Sequence, residues 1–385
     1  MDNQCTIKLV GLITSIVFAG SAQLIIIPLI MPIYQSILFI NILFAVESLV
    51  VFAAIMLVND IYGWYMGFQW AFNYVDMIKN IGMVFLIGFV QFIISSCFFY
   101  SAHPARTPIL IQVILLGLGI LPSVILSKLM LKKSKDYNMK YIFISLCFLL
   151  ASIMLGVFPI IPFYKNFNVS FIWCGVYALA VILISLSYVL QEQYILATDR
   201  KASTKFKLAF YSRLVQAVFI VIMFWIEPFL GYNANGDFYK LYTDFIDSWY
   251  VFINNGLNFW LIQLYVISRV VSYILMIYLN QISANYSTII GNINTQILAL
   301  FFAIFPELNK GFQYPLVVIM MNIFCNISSI IFWINGEKNI TNEDDKANDI
   351  EIELMSLKNP MVNPMVNPTI PSTKKSKLFK KFQLC

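Results

Sequence analysis

The chain has 385 residues, of which 60% are hydrophobic and 11% charged, and its formal net charge is +6. An ordinary soluble domain is roughly 25% charged, and here 15 of the 44 charged residues fall after Trp333, leaving 29 for everything before it. So few charges cannot cover a soluble surface, which excludes a cytosolic enzyme or a disordered protein and leaves an all-α integral membrane protein. A membrane β-barrel would alternate apolar and polar residues, and the run Ile109 to Leu126 does not.

Ten apolar segments follow in chain order, at approximately 8–30, 37–59, 80–101, 108–130, 140–161, 169–190, 208–230, 255–279, 283–305 and 313–335. Each has the length that crosses a bilayer as a helix. The first is too long for the apolar part of a cleavable signal and reads as a span. Only Asn280 to Ile282 separate the eighth and ninth, but Asn280, Gln281, Ser283, Asn285 and Ser287 form a polar break that predicts two helices. Between the second and third spans, residues 60–79 hold Tyr62, Trp64, Tyr65, Phe68, Trp70, Phe72 and Tyr74, an aromatic belt that suits a helix at the membrane interface. Phe238, Tyr239, Tyr242, Phe245, Trp249 and Tyr250, in the loop 231–254, are spaced for an amphipathic surface helix.

Lysine and arginine set the orientation. With the N-terminus cytoplasmic, 19 of these residues lie on the cytoplasmic side and 4 (Arg106, Lys165, Lys240 and Lys310) on the other, with Arg213 and Arg269 inside spans. An even number of spans places both termini in the cytoplasm. The net charge therefore reflects topology, and no nucleic-acid partner is implied. Residues 336–385 differ in material: an acidic stretch, the repeat from Asn359 to Pro368, and a basic end. This composition predicts a disordered cytoplasmic tail, and Lys374, Lys375, Lys377, Lys380 and Lys381 with Phe379 and Phe382 suit contact with anionic lipid. Asn168-Val-Ser170 is a glycosylation sequon on the expected lumenal side.

Ten spans divide into two sets of five. The fourth span (Pro108 to Gln112, closing on Ser127 to Lys133) and the ninth (Ser287 to Asn292, closing on Phe302 to Glu307) share early small and polar residues before a long apolar run. An odd number per set makes the halves insert in opposite senses, so 1–161 and 162–335 are expected as two inverted five-helix repeats, a hallmark of secondary transporters.

Three groups of residues carry a family resemblance. They are Pro104 to Gln112 with Lys128 to Lys133; Gln191 to Ile195 with Tyr211 to Phe219 and Glu227-Pro-Phe229; and Ile330 to Lys338. In these the chain resembles the chloroquine-resistance-transporter-like family of the drug/metabolite transporter superfamily, over about residues 8–338. The resemblance implies a central cavity surrounded by spans 1, 2, 3, 4, 7, 8 and 9, with spans 5 and 10 outside. It also implies transport of drug-like cations, peptides, amino acids or thiols across a vacuolar, lysosomal or other endomembrane. Malaria-parasite members carry cysteines in the loop between spans 7 and 8, and residues 231–254 here have none.

Ionisable groups inside spans cost at least ~2.5 kcal/mol when left facing lipid, so they are candidates for function. Glu47 in span 2 and Arg269 in span 8 are read either as binding a cationic group or proton and an anionic group respectively, or as a structural pair. Gln23, Gln91, Gln112, Gln216, Gln263, Asn292 and Gln296 complete the expected substrate- and proton-binding set. Lone His103 and six scattered cysteines offer no metal cluster, no nucleotide-binding glycine loop occurs, and no catalytic group or cofactor is expected. The expectation is a gradient-driven, proton-coupled carrier of a small-molecule substrate, with a nucleotide-sugar or other anionic-metabolite carrier as the alternative and a non-transporting scaffold as a second. A reporter fused after Cys385 should be cytoplasmic in protease-protection assays, and a lumenal reporter would break the ten-span arrangement.

Overall fold

The computed structural model describes residues 3–65, 74–104, 106–131, 139–157, 171–198, 202–226, 229, 238–280, 283–308 and 314–335. These are helical throughout, with no strand among them. In chain order the helices are α1 (Asn3–Ile30), α2 (Ile37–Tyr65), α3 (Tyr74–Ser101), α4 (Ile109–Gly117), α5 (Ile120–Met130), α6 (Met139–Val157), α7 (Phe171–Ala197), α8 (Ala202–Ile222), α9 (Phe238–Asn254), α10 (Gly256–Asn280), α11 (Ala284–Ile304) and α12 (Leu316–Asn335). Among the described residues, nine segments are long and apolar enough to cross a membrane, with α4 and α5 together making one of them. The protein is thus a multi-pass membrane protein by length and composition.

Besides the amphipathic α9, the helix that falls outside those nine is α8, which occupies the place of the expected seventh span. Lys205, Lys207 and Arg213 lie within its 21 residues, so its mean hydropathy is diluted at the entry. It also begins before the expected 208 and ends at Ile222, where a short 3-10 turn over Phe224–Ile226 follows.

Only the two ends of the stretch 60–79, where an interfacial helix is expected, are among the described residues. Residues 60–65 continue α2 and 74–79 open α3, because the apolar runs on either side propagate helix outward; 66–73 lie outside the described residues. The amphipathic helix expected in 231–254 is α9. Its aromatic side grips the turn after α1, with Phe39 meeting Phe245, Trp249 and Phe252 at centroid separations of 5.4, 6.0 and 6.1 Å. The Ser36 amide donates to Ser248 Oγ at 3.1 Å in the same contact. The polar break between α10 and α11 does separate two helices. Ser283 caps α11 by accepting from the Asn285 amide, and the buried Glu192 carboxylate accepts from the Ala284 amide at 2.9 Å, a favoured place for negative charge. The tail 336–385 and the sequon at Asn168 lie outside the described residues.

Within a bilayer there is no hydrophobic drive between helices, so close approach and polar contacts hold them together. The broadest interfaces join α3 to α7, α1 to α10, α2 to α8 and α3 to α8. Gly88 shows why α3 and α8 approach so closely: a Cβ there would lie 2.7 Å from the Ser212 carbonyl oxygen. At the periphery, α6 and α12 are laced by buried polar groups. Ser145 Oγ donates to the Ser329 carbonyl at 3.1 Å, and the Ser152 hydroxyl accepts from Asn322 at 2.7 Å and Asn326 at 3.0 Å. The only two serines of α6 in its long apolar run are thus both used to bind α12. Ser152→Ala removes the shared acceptor of two buried amides, and should cost about 1–3 kcal/mol, read as a lower midpoint of thermal unfolding in detergent.

Candidate functional site

The fourth span is broken near its middle, and the cause is Pro122. A proline has no N–H, so the Leu118 carbonyl cannot receive its usual bond from four residues on. The Leu121 amide turns back to it instead, at 3.1 Å, and the chain tightens into a turn at Leu118 and Gly119. That diversion releases the Gly117 carbonyl, which Leu121 would otherwise have served. A carbonyl in the membrane interior needs a partner, and Asn292 of α11 supplies one from its side-chain amide at 3.1 Å. Ser185 of α7 donates to the Gly119 carbonyl at 2.8 Å. The break is therefore stitched to two neighbouring helices.

A cavity of about 180 Å³ lies against this break. Its walls come from α1, α3, the α4–α5 turn, α7, α8, α10 and α11. Gly20 of α1 is part of the wall because Asn294 presses against it, leaving no room for a Cβ. Aromatic rings bound the cavity toward the end of the bundle that holds the α1–α2 turn: Phe98, Phe99 and Tyr265 line it, and Tyr265 lies 4.1 Å from Phe44 between ring centroids. Its lining residues Tyr273 and Gln91 join a polar network behind the wall. Gln191 donates to Tyr273 at 3.3 Å and to Ser187 at 3.2 Å and accepts from Asn280 at 2.8 Å, while Gln91 also donates to Ser187. Tyr273 in turn shares a hydrogen bond of 3.2 Å with Ser212.

Two arginines reach the cavity. Arg213 of α8 is only 4% exposed, lies over the Tyr273 ring with its Cζ 4.0 Å from the centroid, and donates through Nη1 to Gln216. Its Nε is buried without a partner. Arg269 of α10 donates to the Tyr265 hydroxyl at 3.3 Å. The two cations stand within electrostatic reach of each other, and no carboxylate lines the cavity among the described residues.

The expected site residues separate into two sets. Gln23, Gln91, Arg269 and Asn292 line the cavity. Gln112, Gln216, Gln263, Gln296 and Glu47 are not in its lining. Gln112 closes the turn between α3 and α4 by donating to the Ala102 and Thr107 carbonyls at 2.8 and 2.7 Å. Gln216 holds Arg213, and Gln296 stays within α11 on Thr295 at 3.1 Å. Glu47 is bonded by Gln263 at 2.9 Å, its second oxygen is buried without a partner, and no ion pair joins it to Arg269 among the described residues. It acts instead toward the α1–α2 turn, where burial, and then the Glu47 charge, push the Tyr34 phenol up to about 12 and keep it protonated.

Arg213 and the tyrosines at 188, 265 and 273 are additions to the expected set. The cost argument that singles out Arg269 applies equally to Arg213. Its signal is masked by Lys205 and Lys207, which make the start of α8 look like a charged entry to the membrane. No family model matches the chain, and no curated protein matches it.

The stitched break yields a double-mutant cycle. Asn292→Leu leaves the Gly117 carbonyl without a donor and should lower stability by about 1–3 kcal/mol. In a Pro122→Ala background the helix regains its own bonds, so the same substitution should cost much less. Additive losses in thermal unfolding would disprove the link between Pro122 and Asn292.

Proposed function

We propose that the protein is a secondary transporter that carries a small solute across a membrane by alternating access. The observation that carries this reading is a membrane helix broken at mid-depth beside a cavity that two arginines reach, since discontinuous helices around a central site are how many such carriers bind their substrates. Among the described residues, the cavity wall draws on seven of the ten spans, and α6 and α12 take no part in it. This division agrees with what the resemblance to the chloroquine-resistance-transporter-like family implies for spans 5 and 10, whereas α2, expected in the wall, contributes no lining residue and α7, the sixth span, contributes four.

Helix packing supports the inverted repeat within the same proposal. Exchanging each span for the one five places on turns the α3–α7 interface into α10–α1, and both are among the broadest. The same exchange turns α1–α11 into α7 with α4 and α5, and returns α2–α8 and the α11 contact with α4 and α5 to themselves; all of these pairs are in contact. Two halves of this kind rock about the cavity, one opening as the other closes. Following the resemblance we place the carrier in an endomembrane, and following the lysine and arginine distribution we place both termini in the cytoplasm.

A test that needs no known substrate uses Ser272→Cys, at a cavity-lining position, in a chain whose six native cysteines are replaced by serine. A membrane-impermeant thiol reagent should label it from both faces of sealed vesicles. Labelling from one face alone, under every imposed gradient of protons or solutes, would instead support a receptor or scaffold.

A further inference from the structure

The charge of the cavity says more about its ligand than its shape does. Arg213 and Arg269 both line it, and each guanidinium carries five N–H donors. Their hydrogen-bond partners within the protein are neutral: Gln216 for one and the Tyr265 hydroxyl for the other. Aromatic faces cradle the cations, with Tyr273 beneath Arg213 at 4.0 Å and Phe99 beside Arg269 at 5.8 Å, but rings leave the charge uncompensated. The acids nearest in the fold are engaged elsewhere. Glu47 is held by Gln263, and Glu192 caps α11 at Ala284. Two cations facing one another in a low-dielectric chamber raise each other's energy, and that energy is recovered when an anion enters between them.

Resting on the transporter reading, we propose that the cavity binds a compact dianionic oxyanion, a phosphate monoester or a dicarboxylate, clamped between Arg213 and Arg269. Arg213 Nε is buried without a partner, so the guanidinium keeps a donor that the protein itself does not satisfy. Arginine's planar fork suits both groups because each presents paired oxygens at matching spacing. Asn294 Oδ1, buried and unpartnered at the same wall, accepts a hydroxyl or amino hydrogen from the body of the ligand. The volume of about 180 Å³ limits that body. Pockets for drug-sized ligands begin near ~300 Å³, so large cationic drugs are poorly matched to this cavity in both size and charge, and peptides and nucleotide sugars in size.

The test is binding to purified full-length protein in a neutral detergent, at fixed ionic strength. The probes are inorganic phosphate, succinate and, as the opposite charge, tetraethylammonium. Protection of the Ser272→Cys variant from the thiol reagent and the rise in thermal midpoint are both read. Phosphate or succinate should protect and stabilise; the stronger of the two tells the phosphate ester from the dicarboxylate. Arg269→Gln, at a half-exposed position, should weaken that binding at least tenfold. Arg213→Gln should do the same, and Arg213→Lys, which keeps the charge and loses the fork, provides a second variant that is expected to fold and to bind more weakly than the parent. Protection by tetraethylammonium alone, or anion binding unchanged in Arg269→Gln and Arg213→Lys, would overturn the proposal. Because these readings need no transport, they are separable from the two-faced labelling that tests the carrier itself.

Discussion

Inside a bilayer every backbone N–H and C=O must find its partner in the protein, because there is no water to serve as a substitute. The architecture follows from that demand. Helices meet it internally along almost their whole length, and where Pro122 interrupts one of them the released Gly117 carbonyl recruits Asn292, while Ser185 adds a bond to the neighbouring Gly119 carbonyl. The recruitment fixes where α11 and α7 can stand relative to the break. It also explains why polar side chains gather there, and a polar gathering among apolar helices leaves a chamber that apolar packing would have filled. The cavity is thus a consequence of the broken helix as much as a neighbour of it.

Buried polarity elsewhere in the molecule does different work. The Ser145, Ser152, Asn322 and Asn326 group joins α6 to α12 and has no access to the cavity. Gln112 ties a turn, and Gln263 holds Glu47. In lipid, an amide serves equally well as adhesive or as a ligand-binding group, and only its surroundings tell the two apart. The arginines differ because their charge has no adhesive partner.

Much of the fold was legible in the sequence because hydropathy reads bilayer thickness directly. The spans, the separation of α10 from α11, and the amphipathic α9 all follow from period and length. The aromatic belt at 60–79 is less decisive, because tyrosine and tryptophan at a helix end look the same whether the helix continues or a new one lies flat; among the described residues α2 runs on to Tyr65 and α3 begins at Tyr74. The site was half legible. Gln23, Gln91, Asn292 and Arg269 were visible as polar residues in apolar runs, and they do share a wall. Which amides meet a cavity depends on helix rotation, and helices that are apolar all round carry little periodic signal of it. Arg213 was obscured by its neighbouring lysines, and the role of Pro122 required knowing which carbonyl it releases.

The seating of α9 has a mechanical consequence. It passes into α10 through the single residue Asn255, whose side chain accepts from the Leu257 and Asn258 amides at 3.1 and 3.3 Å and so stiffens the corner. At its other contact it grips Phe39 at the start of α2. A rigid arm fastened to one helix at its root and resting on another along its length acts as a lever. Any tilt of α10, which bears Arg269 and two cavity tyrosines, is carried outward and delivered as a sideways push on the α1–α2 corner. A shift of α10 and a shift of that corner would thus be parts of one movement.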